Sequence, residues 1–204
     1  TIHVFENGFD EEVYGLQFLK ENSVLIPEIS YSGSFKEHIF LVLEWIEPGN
    51  KKEIFWRKFA QQLAKLHQQK GSLFGLESDN YMGELIQKNS YKSSFPDFFI
   101  ENRLKPQVKL AIDNRLLQPK TIHQFDSLFK QLESIFPKEE PCAIHGDLWS
   151  GNFICNSKEQ VVLIDPAVYY GHREVDLAMT TLFGGFSSDF YNFYNEIFPL
   201  EKGF

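Results

Sequence analysis

Apolar residues recur at helical spacing in several long stretches of the chain. In residues 53–69, for example, Phe55, Phe59, Leu63 and Leu66 fall on one face of a helix with 3.6 residues per turn. The same spacing predicts helices over residues 9–21, 53–69, 96–117 and 121–136, and two more that begin near Glu174 and after Ser187 or Ser188.

Shorter apolar runs predict strands in the first quarter of the chain. Residues 23–29 read as a strand with Pro27 at an edge or an end, and Ser-Gly-Ser at 32–34 predicts a turn. Residues 38–46 form a strand that we expect to be too apolar for exposure on either face. Glu-Pro-Gly-Asn at 47–50 then breaks the chain, so a boundary between two lobes is expected there.

Polar side chains gather around a predicted hairpin in the last third of the chain. Two apolar runs, residues 152–155 and 161–164, flank a polar turn. A hairpin would bring Asp147 and Asn152 to one side of its open end and Asp165 to the other. Two carboxylates and one carboxamide would then share a small volume, where their charges need a cation or a proton.

An all-oxygen site of this kind suits a hard divalent cation such as Mg²⁺. The spacing of His145, Asp147, Asn152 and Asp165 is the one found in kinases, where the first Asp accepts the proton of the attacking hydroxyl and the Asn and second Asp hold metal against phosphates. For any one residue, a solvated turn position is the simpler interpretation. The joint spacing favours the kinase interpretation. Asp176 is expected to brace the loop, and His67 is interpreted as a packed or capping histidine.

Composition narrows the possible partners and compartment. The 204 residues carry a net charge of −8, which argues against nucleic acid or an anionic membrane as the main partner. The two cysteines, Cys142 and Cys155, lie in apolar runs and are expected to be buried thiols of a reducing compartment. No signal peptide or membrane-length apolar run is recognised, so a cytoplasmic protein is expected.

Several motifs resemble those of the fructosamine/ketosamine-3-kinase family. They are His-Gly-Asp-Leu-Trp-Ser-Gly-Asn at 145–152, Asp-Pro-Ala at 165–167, Tyr-Gly-His at 170–172, Asp-Leu-Ala at 176–178 and Phe-Gly-Gly-Phe at 183–186, and two weaker ones at 79–83 and 98–104. His-Gly-Asp and Asp-Leu-Ala are shared with aminoglycoside phosphotransferases and choline kinases, whereas Leu-Trp-Ser-Gly-Asn, Tyr-Gly-His and Phe-Gly-Gly-Phe are more specific.

The resemblance implies an α+β, protein-kinase-like fold with two lobes. Residues 1–47 would be the remnant of a small β-rich N-terminal lobe, and residues 48–204 would form the mostly helical C-terminal lobe with the catalytic hairpin. The implied activity is a transferase reaction, the ATP-dependent phosphorylation of a ketosamine such as a fructosamine or ribulosamine at its 3-hydroxyl. The substrate would be a small molecule or a glycated protein lysine, and the outcome deglycation.

Roles for individual residues follow from the same resemblance. Asp147 is implied as the catalytic base, and Asn152 and Asp165 as ligands of Mg²⁺ with bound ATP. Trp149 would form a wall of the substrate site. Four further residues are implied at the nucleotide site. Glu12 would pair with a lysine that holds the phosphates, and Glu44, Trp45 and Ile46 would form the adenine-binding hinge.

One element of the family pattern does not occur in this sequence. The resemblance implies a Gly-rich strand pair and a lysine upstream of Glu12, and no lysine precedes Glu12 here. If that segment is genuinely absent, a non-catalytic pseudokinase is the alternative, because the Lys–Glu pair is needed for turnover. A related kinase acting on an aminoglycoside or choline is a second alternative.

Overall fold

The computed structural model describes residues 9–36 and 38–201, and it is a mixed α and β structure. Helices and strands alternate with short connections, and the segment 95–113 is one helical rod with a π-helical turn in its middle. The elements are α1 (Asp10–Glu21), β1 (Ile29–Phe35), β2 (His38–Leu43), α2 (Glu53–His67), β3 (Asn80–Met82), β4 (Leu85–Gln87), α3 (Phe95–Phe99), the π-turn (Ile100–Leu104), α4 (Lys105–Asp113), a 3₁₀ turn (Pro119–Thr121), α5 (Ile122–Phe129), α6 (Leu132–Ile135), β5 (Cys142–Ile144), β6 (Phe153–Cys155), β7 (Val161–Leu163), β8 (Tyr169–Gly171), α7 (Glu174–Leu182) and α8 (Ser188–Ile197).

The strands form antiparallel pairs, β1 with β2, β3 with β4, β5 with β8 and β6 with β7. The β6–β7 pair is the hairpin that the sequence predicts, with Phe153 opposite Leu163 and Cys155 opposite Val161. The β5–β8 pair places Ile144 opposite Tyr169. Because β5 precedes the 145–152 loop and β8 follows the 164–168 loop, the two pairs bring these loops together.

Helix α2 lies at the centre of the core. Its apolar face is fully buried, as the periodicity predicts, and it packs against α8 and the strands β5 and β7. Phe59 contacts the rings of Phe153 at 4.9 Å and Phe190 at 5.2 Å between centroids. Phe18 and Leu19 of α1 belong to the same buried cluster. One buried cluster thus joins residues on both sides of position 47. The division of the chain into two lobes at this position remains a prediction.

The predicted helices are confirmed, with corrections at their ends. The rod starting at Phe95 ends at Asp113 rather than near 117. The helix predicted over 121–136 is in fact two helices, α5 and α6, with Lys130 and Gln131 between them. Ser187 caps α8 as expected, accepting a hydrogen bond from the Asp189 N–H.

Two predictions for the first strands are wrong. The strand is not residues 23–29 but β1, and the Ser-Gly-Ser segment lies within it instead of forming a turn. Gly33 pairs with Phe40 there, and the Tyr31 ring lies over it, 2.7 Å from where a Cβ would stand. Tyr31 in turn stacks on Phe40, with ring centroids 5.6 Å apart.

The expectation that residues 38–46 are buried on both faces is also wrong. Strand β2 ends at Leu43, Val42 is 45% exposed and Trp45 is 82% exposed. The reason is that β2 pairs with β1 alone among the described residues, so neither face of this two-stranded sheet is fully covered.

None of the helices in the described part of the chain is both long and apolar enough to cross a bilayer. The thiols of Cys142 and Cys155 are free and buried, as expected.

Candidate active site

His145 fixes the start of the loop that carries Asp147. Its ring is fully buried, with Nε2 3.1 Å from the carbonyl oxygen of Ile164, and its Nδ1 accepts the Asp147 N–H at 3.2 Å. A ring that donates from Nε2 and accepts at Nδ1 is neutral. Burial lowers the pKa of His145 and thereby stabilises this neutral form, although Asp176 opposes the shift. The histidine therefore positions the loop through its ring.

Asp176 braces the same loop from α7, as predicted. Its carboxylate accepts the N–H groups of His145 at 2.8 Å and Gly146 at 2.9 Å. Burial alone would raise the pKa of Asp176, but the hydrogen bond from His67 and the backbone N–H groups hold it below the ordinary value. The charged carboxylate thus ties two successive backbone amides to the helix.

Two further residues, His67 and Tyr194, support Asp176, and the sequence did not predict this role. His67 Nε2 lies 3.1 Å from Asp176 Oδ2, and its Nδ1 lies 2.8 Å from the Tyr194 hydroxyl. The three residues come from α2, α7 and α8, so only the tertiary structure joins them. The periodicity correctly indicated that His67 is packed, but not its partner.

Asp147 and Asn152 are in direct contact. The Asn152 side chain donates from Nδ2 to Asp147 Oδ2 at 2.9 Å and to the Asp147 carbonyl at 2.9 Å. Burial raises the pKa of Asp147, and the nearby charge of Asp165 raises it further, whereas His145 and Asn152 oppose the shift. The structure thus brings together the predicted base and one predicted metal ligand.

Asp165 lies on the facing loop, immediately after β7. Its backbone is in the left-handed region, with φ of +51°. The two loops are joined by the hydrogen bond from the Ala167 N–H to the His145 carbonyl at 2.9 Å. They approach so closely that a Cβ on Gly146 would stand 2.0 Å from the Ala167 oxygen, and Gly146 itself has φ of +85°, so only glycine fits.

Glu12 faces the Asp165 loop from α1. The helix packs closely there, since a Cβ on Gly15 would stand 3.0 Å from Pro166 Cγ. A small cavity of about 150 Å³ lies between Glu12, Asp165 and the β3–β4 hairpin. Burial and the charge of Asp165 raise the pKa of Glu12 to about 7. Glu12 is therefore close to Asp165, one of the two predicted metal ligands.

The donor set fits a hard cation. Asp165 lies close enough to Asp147 and Glu12 to raise the pKa of both, a repulsion that a bound cation would relieve. Because the Asn152 amide nitrogen is used on Asp147, its Oδ1 is the atom able to bind metal. Within residues 9–36 and 38–201, no three His, Cys, Asp or Glu side chains are grouped to hold a metal ion. A Mg²⁺ here would take few protein ligands and complete its shell with phosphate and water.

Buried carboxamides anchor the β3–β4 hairpin to the segment after Asp165. Asn80 donates to the Val168 carbonyl at 2.9 Å, and Gln87 donates to the Ala167 carbonyl at 3.1 Å and to Asn80 Oδ1 at 2.8 Å. The motif at 79–83 pointed to this region, but Gln87 carried no signal in the sequence. These residues position the Asp165 loop from the outside.

The predicted hinge lies at the end of β2. The Glu44 N–H donates to the Glu28 carbonyl at 2.8 Å, so this amide is used within the structure and adenine would bind other backbone groups of the segment. The Trp45 indole donates to Glu47 at 3.3 Å. Farther on, the Gly49 N–H donates to the Cys155 carbonyl at 2.7 Å, which connects the segment after the predicted hinge to the β6–β7 hairpin.

Trp149 lies on the 145–152 loop and covers Gly151, where a Cβ would stand 2.3 Å from the indole ring. Its ring meets Phe183 edge-on, with centroids 5.3 Å apart. Phe183 belongs to the predicted Phe-Gly-Gly-Phe motif that follows α7. The structure therefore joins two of the motifs in one aromatic surface beside Asp147.

Comparison with known proteins decides the family. The model of the family described as "Fructosamine kinase" matches residues 3–204. The chain belongs to the fructosamine kinase family. The resemblance inferred from its motifs is thereby confirmed, and with it the prediction that the protein is a member of a family of kinases.

Individual relatives agree with this assignment. The chain is 42% identical over 98% of its length to a probable ketoamine kinase of Enterococcus faecium, and it spans 72% of that protein. It superposes on a solved structure named as a fructosamine-3-kinase, from Haemophilus somnus 129PT, with a TM-score of 0.86 and 32% identity. That match covers 96% of this chain and 66% of the solved one, so the chain spans about two thirds of its length.

The fold of this fructosamine kinase family member is shared more widely. The aminoglycoside phosphotransferase APH(2")-IIa, solved with gentamicin, superposes with a TM-score of 0.58 at 16% identity, covering 92% of this chain and 64% of that one. At this identity the match concerns the fold alone. It confirms the predicted α+β, protein-kinase-like fold.

Proposed function

We propose that the protein phosphorylates a ketosamine with ATP. The observation that carries the proposal is the contact between the Asn152 amide and the Asp147 carboxylate, 2.9 Å, with Asp165 close enough to perturb the same carboxylate. This is the arrangement that phosphoryl transfer needs, a base beside a metal-binding pair. The name of the family and of its ketoamine kinase relatives supports a ketosamine as the acceptor.

Asp147 acts as the base in this proposal. The acceptor hydroxyl gives its proton to Asp147 as its oxygen bonds to the terminal phosphorus of ATP, while the bond from that phosphorus to the bridging oxygen breaks and ADP leaves. A raised pKa suits this role, because a base is most effective when its pKa approaches the working pH. The hydrogen bond from Asn152 holds one oxygen of the carboxylate, which leaves the other for the substrate.

Asn152 Oδ1 and the Asp165 carboxylate would hold Mg²⁺, whose charge neutralises the phosphate oxygens when it is bound. ATP would lie between the hinge segment of Glu44, Trp45 and Ile46 and the loops that carry these two ligands. Glu12 would pair with a lysine on the phosphates. Its pKa of about 7 fits, since an adjacent cation would restore its charge.

The finer points of the proposal concern the acceptor. By family resemblance the phosphate goes to the 3-hydroxyl of a fructosamine or ribulosamine, which makes the adduct labile and counts as deglycation. Trp149 would form one wall of the acceptor site, because an indole face can lie against a sugar. The proposal includes free and protein-bound acceptors, and the reaction would take place in the cytoplasm.

The test is to identify the product. The protein at its natural length is incubated with ATP, Mg²⁺ and a fructosamine of a simple amine, and ³¹P NMR with mass spectrometry follows the sugar. We expect a phosphate monoester on the 3-hydroxyl that requires the metal. Equal or faster phosphorylation of kanamycin or choline would show that the acceptor is an aminoglycoside or choline rather than a ketosamine. Nucleotide binding without any transfer would indicate a pseudokinase.

A further inference from the structure

A second, larger cavity lies beside the 145–152 loop. We call it the α7 cavity, since α7 forms one wall, and the helical rod 95–113 and the β3–β4 hairpin form the others. Its volume of about 460 Å³ is in the range of small-molecule sites. Gly146, the residue before the proposed base, is part of its lining. A ligand in this cavity would therefore contact the loop that carries Asp147.

The wall of the α7 cavity is apolar and adaptable. The chain has only two methionines, Met82 and Met179, and both line this cavity. Phe99, Phe136 and Tyr169 line it as well. Methionine is flexible and polarizable, so it accommodates apolar groups of different shapes. The composition of the wall indicates an apolar ligand group rather than a second sugar.

Three polar side chains, Gln87, Arg103 and Glu174, interrupt the apolar wall. Gln87 is bound to Asn80 and Ala167, and Arg103 donates to Asn89 Oδ1 at 2.8 Å and lies over the Tyr169 ring, so Glu174 is the polar group left for a ligand. Glu174 is half-buried at the start of α7, and in the described part of the chain its carboxylate forms no ion pair or hydrogen bond. Burial and the charge of Glu139 raise the pKa of Glu174. The neighbouring Arg173 opposes this shift only in part, and its guanidinium is bound to Glu139 at 2.8 Å. A cationic group on a ligand would complete this site.

An exposed apolar edge connects the cavity with the proposed substrate wall. Leu182, at the end of α7, lines the cavity and is 65% exposed, and the next residue, Phe183, is 68% exposed. Phe183 contacts Trp149. Exposed apolar side chains in a row commonly mark a binding surface. Here they extend from the cavity to the loop of Asp147.

We propose that the α7 cavity binds the amine side of the acceptor, and that the preferred acceptors are small ketosamines whose amine carries an apolar substituent. The substituent lies against Met82 and Met179, the secondary ammonium lies at Glu174, and the sugar extends toward Asp147. This inference rests on the proposed ketosamine kinase activity. It adds the chemical class of the substituent and the residues that select it.

The first test is a substrate series. Fructosamines of methylamine, butylamine and benzylamine share one sugar and differ only in the substituent, and kcat/KM is measured for each. Burial of methylenes should raise kcat/KM by about threefold for each one added. If the methyl compound is phosphorylated and the series is flat, the inference falls while the kinase proposal stands. If no member is phosphorylated, both fall.

The second test places a charge at the mouth of the cavity. Leu182→Lys should lower kcat/KM for the benzyl compound about tenfold and leave the methyl compound within about twofold, since only the larger group reaches that edge. Leu116→Lys is the matched control, because Leu116 is 78% exposed and does not line the cavity. Equal losses for both substrates in Leu182→Lys would contradict the inference.

The third test separates the ammonium from the sugar. In Glu174→Gln, KM for the butyl ketosamine should rise about tenfold, whereas kcat/KM for fructose itself, which has no amine, should change less than about twofold. A role of Glu174 in folding alone would lower both activities together and would overturn its assignment. A glycated protein used as well as the benzyl compound would overturn the preference for small acceptors.

Discussion

At the scale of single residues, the site depends on charged groups whose neighbours determine their protonation. Asp176 and Glu12 show the two directions. Hydrogen bonds hold the pKa of Asp176 below its ordinary value, whereas burial and the charge of Asp165 raise that of Glu12. The first residue stabilises the fold when charged. The second destabilises it when charged, unless a cation lies nearby.

Replacement of Asp176 by Asn should weaken the hydrogen bonds that hold the 145–152 loop to α7. An amide nitrogen would face a backbone N–H, so one hydrogen bond is lost and one donor is left unpaired. We expect the free energy of unfolding to fall by about 2–3 kcal/mol and kcat to fall with it. Chemical denaturation at neutral pH measures the first effect.

The pH dependence of the Asp176→Asn effect is fixed in sign. The pKa of Asp176 is lower in the folded protein, so its contribution is present above the ordinary value of 3.8 and is lost as the pH falls through the folded pKa. The difference from wild type should therefore shrink in acid. The exposed Asp126→Asn is the control, and a difference that stays constant down to the acid transition would contradict the assignment.

Replacement of Glu12 by Gln should have the opposite sign. The pKa of Glu12 is about 7 when folded against an ordinary 4.5, so its charged form disfavours folding as the pH rises through that interval. In metal-free buffer at pH 8, Glu12→Gln should be more stable than wild type by about 1 kcal/mol, reduced for solvent screening of a partly exposed group.

Thermal unfolding at pH 5 and pH 8 measures the Glu12 effect. The gain in melting temperature should be present at pH 8 and nearly absent at pH 5. Asp10→Asn, in the same helical turn but exposed, serves as the control. An equal gain at both pH values would show that the repulsion from Asp165 is not its cause.

At the scale of elements, the β3–β4 hairpin holds the Asp165 loop through side chains that the sequence did not single out. Gln87→Leu would remove the donors to Ala167 and Asn80 and leave the Ala167 carbonyl short of a partner. We expect a loss of stability of about 1–3 kcal/mol and a higher KM for ATP, because the metal-binding loop loosens.

Unfolding curves and nucleotide kinetics check the Gln87 prediction together. Ile86→Thr is a matched control in the same strand, since Ile86 is more than half exposed. A stability loss with unchanged KM for ATP would mean that the hairpin supports the fold but does not position Asp165.

The elements also show which features a single sequence specifies. Helix α2 was predicted because its apolar residues recur at helical spacing over its whole length, and the β6–β7 hairpin because two apolar runs flank a polar turn. The exposure of β2 could not be predicted, because apolar character does not reveal whether a strand has a neighbour. The prediction of a turn at Ser-Gly-Ser was wrong because these residues pair within β1, where the Tyr31 ring lies over Gly33, a contact made only in the folded sheet.

At the scale of the whole molecule, site residues that are close in the sequence were predicted, and supporting residues that meet only in the fold were not. The proximity of Asp147, Asn152 and Asp165 was predicted from their spacing, since short loops at the open end of one hairpin lie close together. His67, Tyr194 and Gln87 were missed as supporting residues because they come from distant parts of the chain. The family assignment needed only the local motifs, whereas the α7 cavity required the packing of three elements.

The central claim is that Asp147 takes the proton of a ketosamine hydroxyl. The most direct measurement is the rate of phosphate transfer from ATP to a fructosamine by Asp147→Asn, a variant that keeps the size of the side chain. Asp113→Asn, on an exposed face where Asp113 pairs with Lys109, is the control. We predict a loss of about 10²- to 10⁴-fold for Asp147→Asn with ATP affinity retained and no loss for the control. Transfer by Asp147→Asn at the rate of the wild type would contradict the account.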